Sequence, residues 1–335
     1  MRIGQNPQKG NDNKLIKKYH RIVMVFYVPD IIDAESDSYF CNLSTVLDIS
    51  LQSLINTVNF KTTNITLINN ASSKSVDIII QKFLDYIDKY VVYNENKGKV
   101  NAVINEARGV YEEFITITDA DILFYPGWEK ASIELFRDFR NVGAVSPYPF
   151  PYSPFYVNKS SFGFNTIFGK IEYGKYINES DIDFYIKGTG LPNIIKRDAT
   201  KQDWKTKHFV LKNNDKIAVV GSYHVTGTYR SFIFKNEKEF PEVVFKNQYE
   251  ERFIDCLADR KGLIKLSTLK TYVYHIGNNI DDVVEKYQFH KIKKDIIEES
   301  LFEQVIKENS NLKLGIYFNR VLGYFFIKYL WKKLN

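Results

Sequence analysis

Glu113-Phe-Ile-Thr-Ile-Thr-Asp-Ala-Asp-Ile-Leu-Phe-Tyr-Pro-Gly-Trp128 is a strand pattern that runs straight into two carboxylates one residue apart. The alternation of apolar and Thr residues predicts a buried strand over Glu113–Thr118, surfacing at Asp119 and Asp121. Residues i and i+2 of an extended chain project to the same face, so the two carboxylates can hold one divalent cation between them. Hard oxygen ligands suit Mg²⁺ or Mn²⁺, and Mg²⁺ is usually completed by substrate phosphates and water. An isolated Asp-x-Asp also simply marks the end of a strand and the start of a turn, so the flanking sequence has to decide.

Upstream, from Arg21 to Ser146, short apolar runs alternate with helical patterns, the signature of an α/β layer on a largely parallel sheet. Strands are expected at Ile22–Val28, Asn64–Asn69 and Lys89–Tyr93. Between the first two, Tyr39, Phe40, Leu43, Val46, Leu47, Leu51, Leu54 and Ile55 recur at helical spacing. Ile79, Ile80, Phe83, Leu84 and Ile87 do the same before the third. A shorter helix over Lys99–Ala107 leads to the strand ending at Asp119, and Glu129–Arg140 forms the helix after it. Crossovers of this kind are right-handed.

Downstream, Ala144-Val-Ser-Pro-Tyr-Pro-Phe-Pro-Tyr-Ser-Pro154 carries four prolines, which exclude a continuous helix or central strand. Residues 155–215 read as irregular excursions with short elements, and Asp181-Ile-Asp183 within them as solvated loop. Pattern returns as strands at Lys216–Val220, Tyr229–Phe234 and Leu269–His275 and a helix at Gln248–Lys261, and the last fifty or so residues read as mostly helical. This divides the chain into a flexible lead (1–20), an α/β half (21–150), a second half of the same domain (151–280) and a helical extension (281–335).

Composition narrows the class. At 335 residues, 44% hydrophobic and 26% charged, the chain can bury a sizeable core. A net charge of +6 gives mild attraction to phosphates or acidic head groups and is too small to argue for nucleic acid. Cys41 and Cys256 lack zinc or disulfide-scaffold spacing, which fits a reducing, cytoplasmic setting. No run of ~20 apolar residues spans a bilayer, and residues 1–18 carry no signal-peptide core.

Ligands of open parallel sheets bind at the carboxyl ends of the strands, where the polar residues gather. The first strand runs out into Phe26-Tyr27-Val-Pro29, the second into Asn69-Asn70-Ala-Ser72, the third into Asn94-Glu-Asn-Lys-Gly-Lys99, and the fourth into Thr118-Asp-Ala-Asp121. In this order they resemble the inverting nucleotide-sugar transferases of glycosyltransferase family 2, with the GT-A fold, over roughly Arg21 to Gly277. Leu47–Ile55 is similar to the family's first helix, Asn69-Asn70-Ala-Ser72 to its Asp-Asn-x-Ser turn, Asn96-Lys-Gly-Lys99 with Asn105 to its Asn-x-Gly…Asn segment, and Thr118–Ile122 to its metal and diphosphate motif. Tyr249-Glu-Glu-Arg-Phe-Ile-Asp-Cys-Leu-Ala-Asp-Arg-Lys-Gly262, followed by Thr271-Tyr-Val-Tyr-His-Ile-Gly277, resembles the family's Glu-Asp pair, its helix ending in Gly and its strand ending in His.

The resemblance implies a donor nucleotide near Phe26, Tyr27, Asn69, Asn70, Lys99, Asn105 and Asp119, and a cation on Asp119, Asp121 and His275. It also implies a catalytic base at Glu251, with Glu250 beside it. The sequence departs from the family where Asn69 replaces an Asp, where Asn105 lies one residue further from Gly98, and where Glu251 replaces an Asp. Acidic residues in a helix's first turn also favour its macrodipole without any further role. A nucleotidyltransferase is the nearest enzymatic rival, but Tyr27–Asp33 lacks a Gly-rich phosphate loop. A non-catalytic sugar- or lipid-binding module on the same fold is the rival of another class. The tail, Leu314–Asn335, mixes bulky apolar residues with Arg320, Lys328, Lys332 and Lys333. It can lie in a membrane interface, with a lipid-linked saccharide as acceptor, or it can pack on the domain or a second copy.

Overall fold

The computed structural model describes residues 4, 16–30, 39–189, 203–235, 237–287, 295, 297–308 and 316–334. The lead expected over 1–20 therefore falls mostly outside the described residues. Twelve strands and ten helices follow in the order β1 (His20–Phe26), α1 (Leu43–Thr57), β2 (Thr63–Asn70), α2 (Asp77–Gln81), β3 (Lys89–Tyr93), α3 (Lys99–Ala107), β4 (Phe114–Asp119), β5 (Ile122–Phe124), α4 (Trp128–Asp138), β6 (Val142–Ser146), α5 (Lys159–Ile167), β7 (Ile171–Gly174), α6 (Glu179–Gly188), β8 (His208–Asn213), β9 (Lys216–Val220), β10 (Thr226–Arg230), α7 (Cys256–Arg260), β11 (Ile264–Ser267), β12 (Val273–His275), α8 (Asp282–Glu285), α9 (Glu299–Glu308) and α10 (Ile316–Leu334).

Ten strands form one mostly parallel sheet in the order β3-β2-β1-β4-β10-β6-β11-β9-β8-β7, and β12 pairs with β5 in a separate ribbon. The four strands anticipated from the apolar runs are the parallel end of this sheet, with β1 between β2 and β4. The alternation along β1 explains its central place. Ile22, Met24 and Phe26 join the layer under α1, while Val23 and Val25 join the opposite layer under α3. β10 then runs antiparallel between β4 and β6, tying the two halves of the chain into one sheet.

The centre of the sheet also carries a buried polar network. His20 Nδ1 lies 2.7 Å from Glu129 Oε1, and its Nε2 lies 2.7 Å from Thr116 Oγ1, which in turn meets Thr228 Oγ1 at 2.7 Å. β1, β4, β10 and the first turn of α4 are thereby fixed together, with each buried polar group given a partner.

Several expectations shift. The helical pattern over Ile79–Ile87 is broken into short turns around α2, with 3₁₀ turns at Lys74–Val76 and Leu84–Tyr86. The strand expected at Tyr229–Phe234 is instead β10, ending at Arg230, followed by a 3₁₀ turn over Ser231–Ile233. The described residues of 155–215 include α5, β7, α6 and β8, and Asp181 and Asp183 stand on α6, not on a solvated loop. Asp181 there accepts the Thr271 backbone N–H at 2.7 Å. β11 was hidden by Lys265, a fully buried lysine in the middle of a strand.

Candidate active site

The carboxyl ends of β1 to β4 form one edge, and their polar residues are built into it. Asn69 accepts the Ser72 N–H at 2.7 Å and donates to the Tyr90 hydroxyl at 3.1 Å. Asn70 accepts the Lys97 N–H and donates to Asn96, each at 2.9 Å. These bonds hold the turn before α3 against the end of β2. Gly98 has φ +74°, and a Cβ there would come within 2.1 Å of the Val244 carbonyl oxygen, so glycine is required on both counts. Phe26 is buried and Tyr27 is exposed at the end of β1. Asn105 is exposed on α3, whereas Asn101, one turn earlier, donates to the Lys97 carbonyl.

Lys99, at the first position of α3, reaches across to β4 and pairs with Asp119. Burial alone would favour its neutral form; Asp119 first, then Glu250 and Asp121, more than offset this and raise the Lys99 pKa. It is therefore a cation at the strand end.

Asp121, two residues on, opens the turn into β5. Its Oδ2 meets His275 Nε2 at 3.1 Å, because β12 pairs with β5 and sets His275 opposite Ile122. His275 Nδ1 faces the Gly188 carbonyl oxygen at 3.0 Å, an arrangement that fixes the ring and leaves Nε2 toward the carboxylate. Burial would lower its pKa; Asp121 dominates and carries it up to about 9. Asp121 Oδ1 is buried with no hydrogen-bond partner among the described residues. A buried orphan carboxylate oxygen fits a hard divalent cation, and the imidazole beside it can join as a ligand only by giving up its Nε2 proton. Among the described residues no group of three or more His, Cys, Asp or Glu is placed to hold a metal ion. A cation here would complete its shell with donor phosphate and water.

Glu250 and Glu251 lie where the chain enters a π turn, Glu251–Asp255, before α7. Such turns are rare and recur at functional sites. Glu250 faces the strand edge, close enough for its charge to act on Lys99 and Tyr223. The charge of Glu251 acts on Tyr156 and Lys265, and Tyr156 meets Tyr223 edge-on with 5.9 Å between ring centroids.

Beside His275 opens a cavity of about 440 Å³, walled by Tyr148, Phe150, Tyr156, Tyr185, Tyr223 and Tyr274 among others. Phe150 and Tyr223 stack face to face, 5.0 Å between ring centroids. On the wall between β9 and β10, His224 Nδ1 lies 2.7 Å from Oδ2 of the buried Asp255, which also accepts the Tyr156 hydroxyl at 3.0 Å. Burial would raise the Asp255 pKa, but His224, Lys265 and Tyr156 outweigh it and hold the group below the usual carboxylate range.

The structure thus brings Lys99, Asp119, Asp121, His275 and Glu250 to one edge. Asn69 and Asn70 sit below them in bonds of their own, and Asn105 stands apart on the exposed side of α3. Sequence reasoning missed His224, Asp255, Tyr148 and Lys265. The available signals were an Asp inside the apolar run Phe253-Ile-Asp-Cys-Leu-Ala258 and a Lys inside Ile264–Ser267, both charged residues where a core face was due.

A mostly parallel sheet with helices on both faces, ending on its fourth strand in an Asp-x-Asp with a histidine beside it, defines the GT-A class of fold. The chain belongs to glycosyl transferase family 2, whose model matches residues 39–210, just over half its length. No curated protein sequence matches it. Among solved structures it is similar to residues 1–349 of TarS from S. aureus, at 14% identity over 91% of this chain and 74% of that one, with a TM-score of 0.44. It is also similar to the mannosyltransferase PcManGT from Pyrobaculum calidifontis, solved with GDP-Man and Mn²⁺, at 14% identity and a TM-score of 0.38. That match covers 67% of this chain and 48% of PcManGT, so the chain spans about half the length of that relative.

Proposed function

We propose that the protein transfers a sugar from a nucleotide-sugar donor to a hydroxyl acceptor with inversion, assisted by Mn²⁺ or Mg²⁺. The observation that carries this reading is the joining of Lys99–Asp119 and Asp121–His275 at one strand edge, directly beside the aromatic cavity. The donor nucleotide lies along the ends of β1 and β2, near Phe26, Tyr27, Asn69 and Asn70, with Asn105 further out on α3. Asp121 would hold the cation, joined by His275 once its Nε2 proton is lost, with Asp119 supporting it or contacting the ribose. When bound, the cation would supply charge neutralisation for the departing diphosphate.

Lys99 adds a fixed positive charge at the same place, so the leaving group is stabilised where its charge develops. Glu251, at the start of the π turn and near enough for its charge to act on Tyr156 of the cavity wall, takes the proton of the attacking hydroxyl, with Glu250 as the neighbouring carboxylate. One direct displacement then inverts the anomeric centre, and no protein nucleophile is required.

The acceptor in this reading is a saccharide, or a lipid-linked saccharide of a bacterial surface glycan, met at the inner face of the cytoplasmic membrane. No helix of the described residues is long and apolar enough to cross a membrane. Peripheral contact is supported by α10, which exposes Phe318, Val321, Tyr324, Phe325 and Tyr329 on a segment with no acidic residue. A contact between two copies through α10 is the competing use of that surface.

A panel of nucleotide sugars assayed for hydrolysis and transfer, with and without Mn²⁺, tests the function. Metal-dependent release of nucleoside diphosphate from one of them is expected. A protein that binds glycosides but turns over no nucleotide sugar would be a binding module, and release of pyrophosphate would indicate nucleotidyl transfer.

A further inference from the structure

His208, at the start of β8, is buried and stands outside the site described above. Its Nδ1 accepts two backbone N–H groups, those of Tyr176 and Ile177, each at 3.2 Å. A nitrogen that accepts two N–H bonds carries no proton, so these contacts define the ring as neutral, with its proton on Nε2. Burial is the largest influence on the ring and holds its pKa below the ordinary imidazole value, with Lys175 acting in the same sense. The Lys205 carbonyl and Asp203, both just before β8, act the other way and are outweighed. The other charges along these elements are paired: Lys175 with Glu179 on α6, and Lys212 on β8 with Glu172 on β7.

The two N–H groups belong to the link from β7 to α6. β7 ends at Gly174, opposite His208 in the β7–β8 ladder, and the link returns its N–H groups to the ring before α6 begins at Glu179. Asn178 gives α6 no side-chain cap, so the helix entry leans on the imidazole. Ile177 is buried in one apolar cluster with Ile182 of α6, Trp204 and Val219, against which Tyr185 packs. α6 in turn holds the segment that bears His275: Asp181 accepts the Thr271 N–H, and the Gly188 carbonyl faces His275 Nδ1.

We propose that His208 is an acid-sensitive latch on α6: while the ring is neutral, Nδ1 holds the link from β7, and a proton on Nδ1 breaks both bonds and loosens α6 from the cavity side of the sheet. The proton turns the acceptor into a donor, so it leaves a buried imidazolium facing two unpaired backbone N–H groups, a state the fold disfavours. The folded chain takes up this proton at lower pH than the unfolded chain does. The latch therefore contributes its stability in full above about 6.5, the ordinary imidazole value, and loses it as pH falls from there through the lower value of the folded protein. This device goes beyond the transferase reading and stands without it, because it is read from ring protonation and tryptophan emission, not from turnover.

The test uses the full chain with Trp128→Phe and Trp331→Phe, so that Trp204, in the cluster with Ile177, is its one tryptophan. It is compared with the same protein carrying His208→Asn, whose Oδ1 can accept both N–H groups and does not titrate. Ring-nitrogen NMR, with His208 assigned from the signal lost in His208→Asn, is expected to show its proton on Nε2 and a titration below the ordinary imidazole value. Trp204 emission is expected to shift to the red, and the urea midpoint to fall, as pH is lowered from about 7.5 to about 5, both changes being smaller in His208→Asn. The proposal is overturned if Nδ1 carries the proton at neutral pH, if the ring titrates at or above the ordinary value, or if emission and urea midpoint change with pH alike in the two proteins. Trp204 emission that stays unchanged over this range in the parent protein also overturns it, which keeps the test decisive should His208→Asn not fold.

Discussion

Asp121 is the residue on which the metal assignment turns. Its Oδ1 is buried and unpaired, and its Oδ2 holds His275, yet it sits at a strand end and contributes nothing to the apolar core. Asp121→Ala is expected to abolish Mn²⁺-dependent binding of nucleoside diphosphate while the protein stays folded, as calorimetric titration and a thermal melt would record. Mn²⁺-dependent binding that survives the change would place the cation elsewhere. The two glutamates make a second test, because their charges act on different neighbours. Glu251→Gln keeps size and hydrogen bonding but cannot take a proton, so transfer is expected to fall ~10²-fold or more with donor binding intact. Glu250→Gln acts on the Lys99 side and is expected to weaken nucleotide binding instead. Single-turnover rates combined with nucleotide titrations separate the two, and the opposite pattern would exchange their roles.

Among the elements, α10 shows most clearly why the sequence left two readings open. The segment has aromatic residues on all sides, and only packing tells which of them are used. One side docks on α5, where Gly323 approaches so closely that a Cβ would fall 1.7 Å from the Lys159 carbonyl oxygen. Asn319 is buried at this contact, donating to the Ser160 carbonyl at 2.8 Å and accepting the Phe164 N–H at 2.7 Å. Arg320 pairs with the buried Asp259 at 2.9 Å.

Asn319→Ala leaves two backbone groups unpaired and is expected to cost about 1–3 kcal/mol for each, seen as a lower denaturation midpoint. Deleting the tail would therefore confound membrane binding with unfolding. Phe318→Glu with Phe325→Glu, both on the exposed side, is the cleaner experiment: sedimentation with anionic liposomes should be lost at unchanged stability. An intact chain that ignores liposomes and a double variant that turns from dimer to monomer would favour the contact between copies.

The parallel strands were readable because each is a short apolar run bounded by turns. The site edge was readable because its residues follow those runs directly. β11 and the His224–Asp255 pair were not, since their charged residues gain their partners only from segments distant in the chain.

At the scale of the whole molecule, the order of the sheet decides how the chain behaves as a unit. β10, from the second half of the sequence, lies between β4 and β6, so the donor-side strands and the strands behind the cavity share one hydrogen-bonded ladder. Thr228 on β10 meets Thr116 on β4, which is tied through His20 to Glu129 on α4. A cut near residue 150 would strip β4 and β6 of the strand between them and expose the edges of both, a state prone to aggregation. The two halves are therefore expected to unfold together.

Trp128 is buried in the layer under α1, and Trp204 is buried against Tyr152 and Tyr185 beside the cavity, so each reports on a different end of the sheet. Following urea unfolding by fluorescence in Trp128→Phe and Trp204→Phe, each combined with Trp331→Phe so that one tryptophan remains, should give transitions of the same shape, each coincident with the loss of helical circular dichroism in the same protein. A Trp204 signal that melts at distinctly lower urea than the helical signal in the same variant would mean that the cavity side opens by itself, and the chain would then have to be treated as two units that meet at the site.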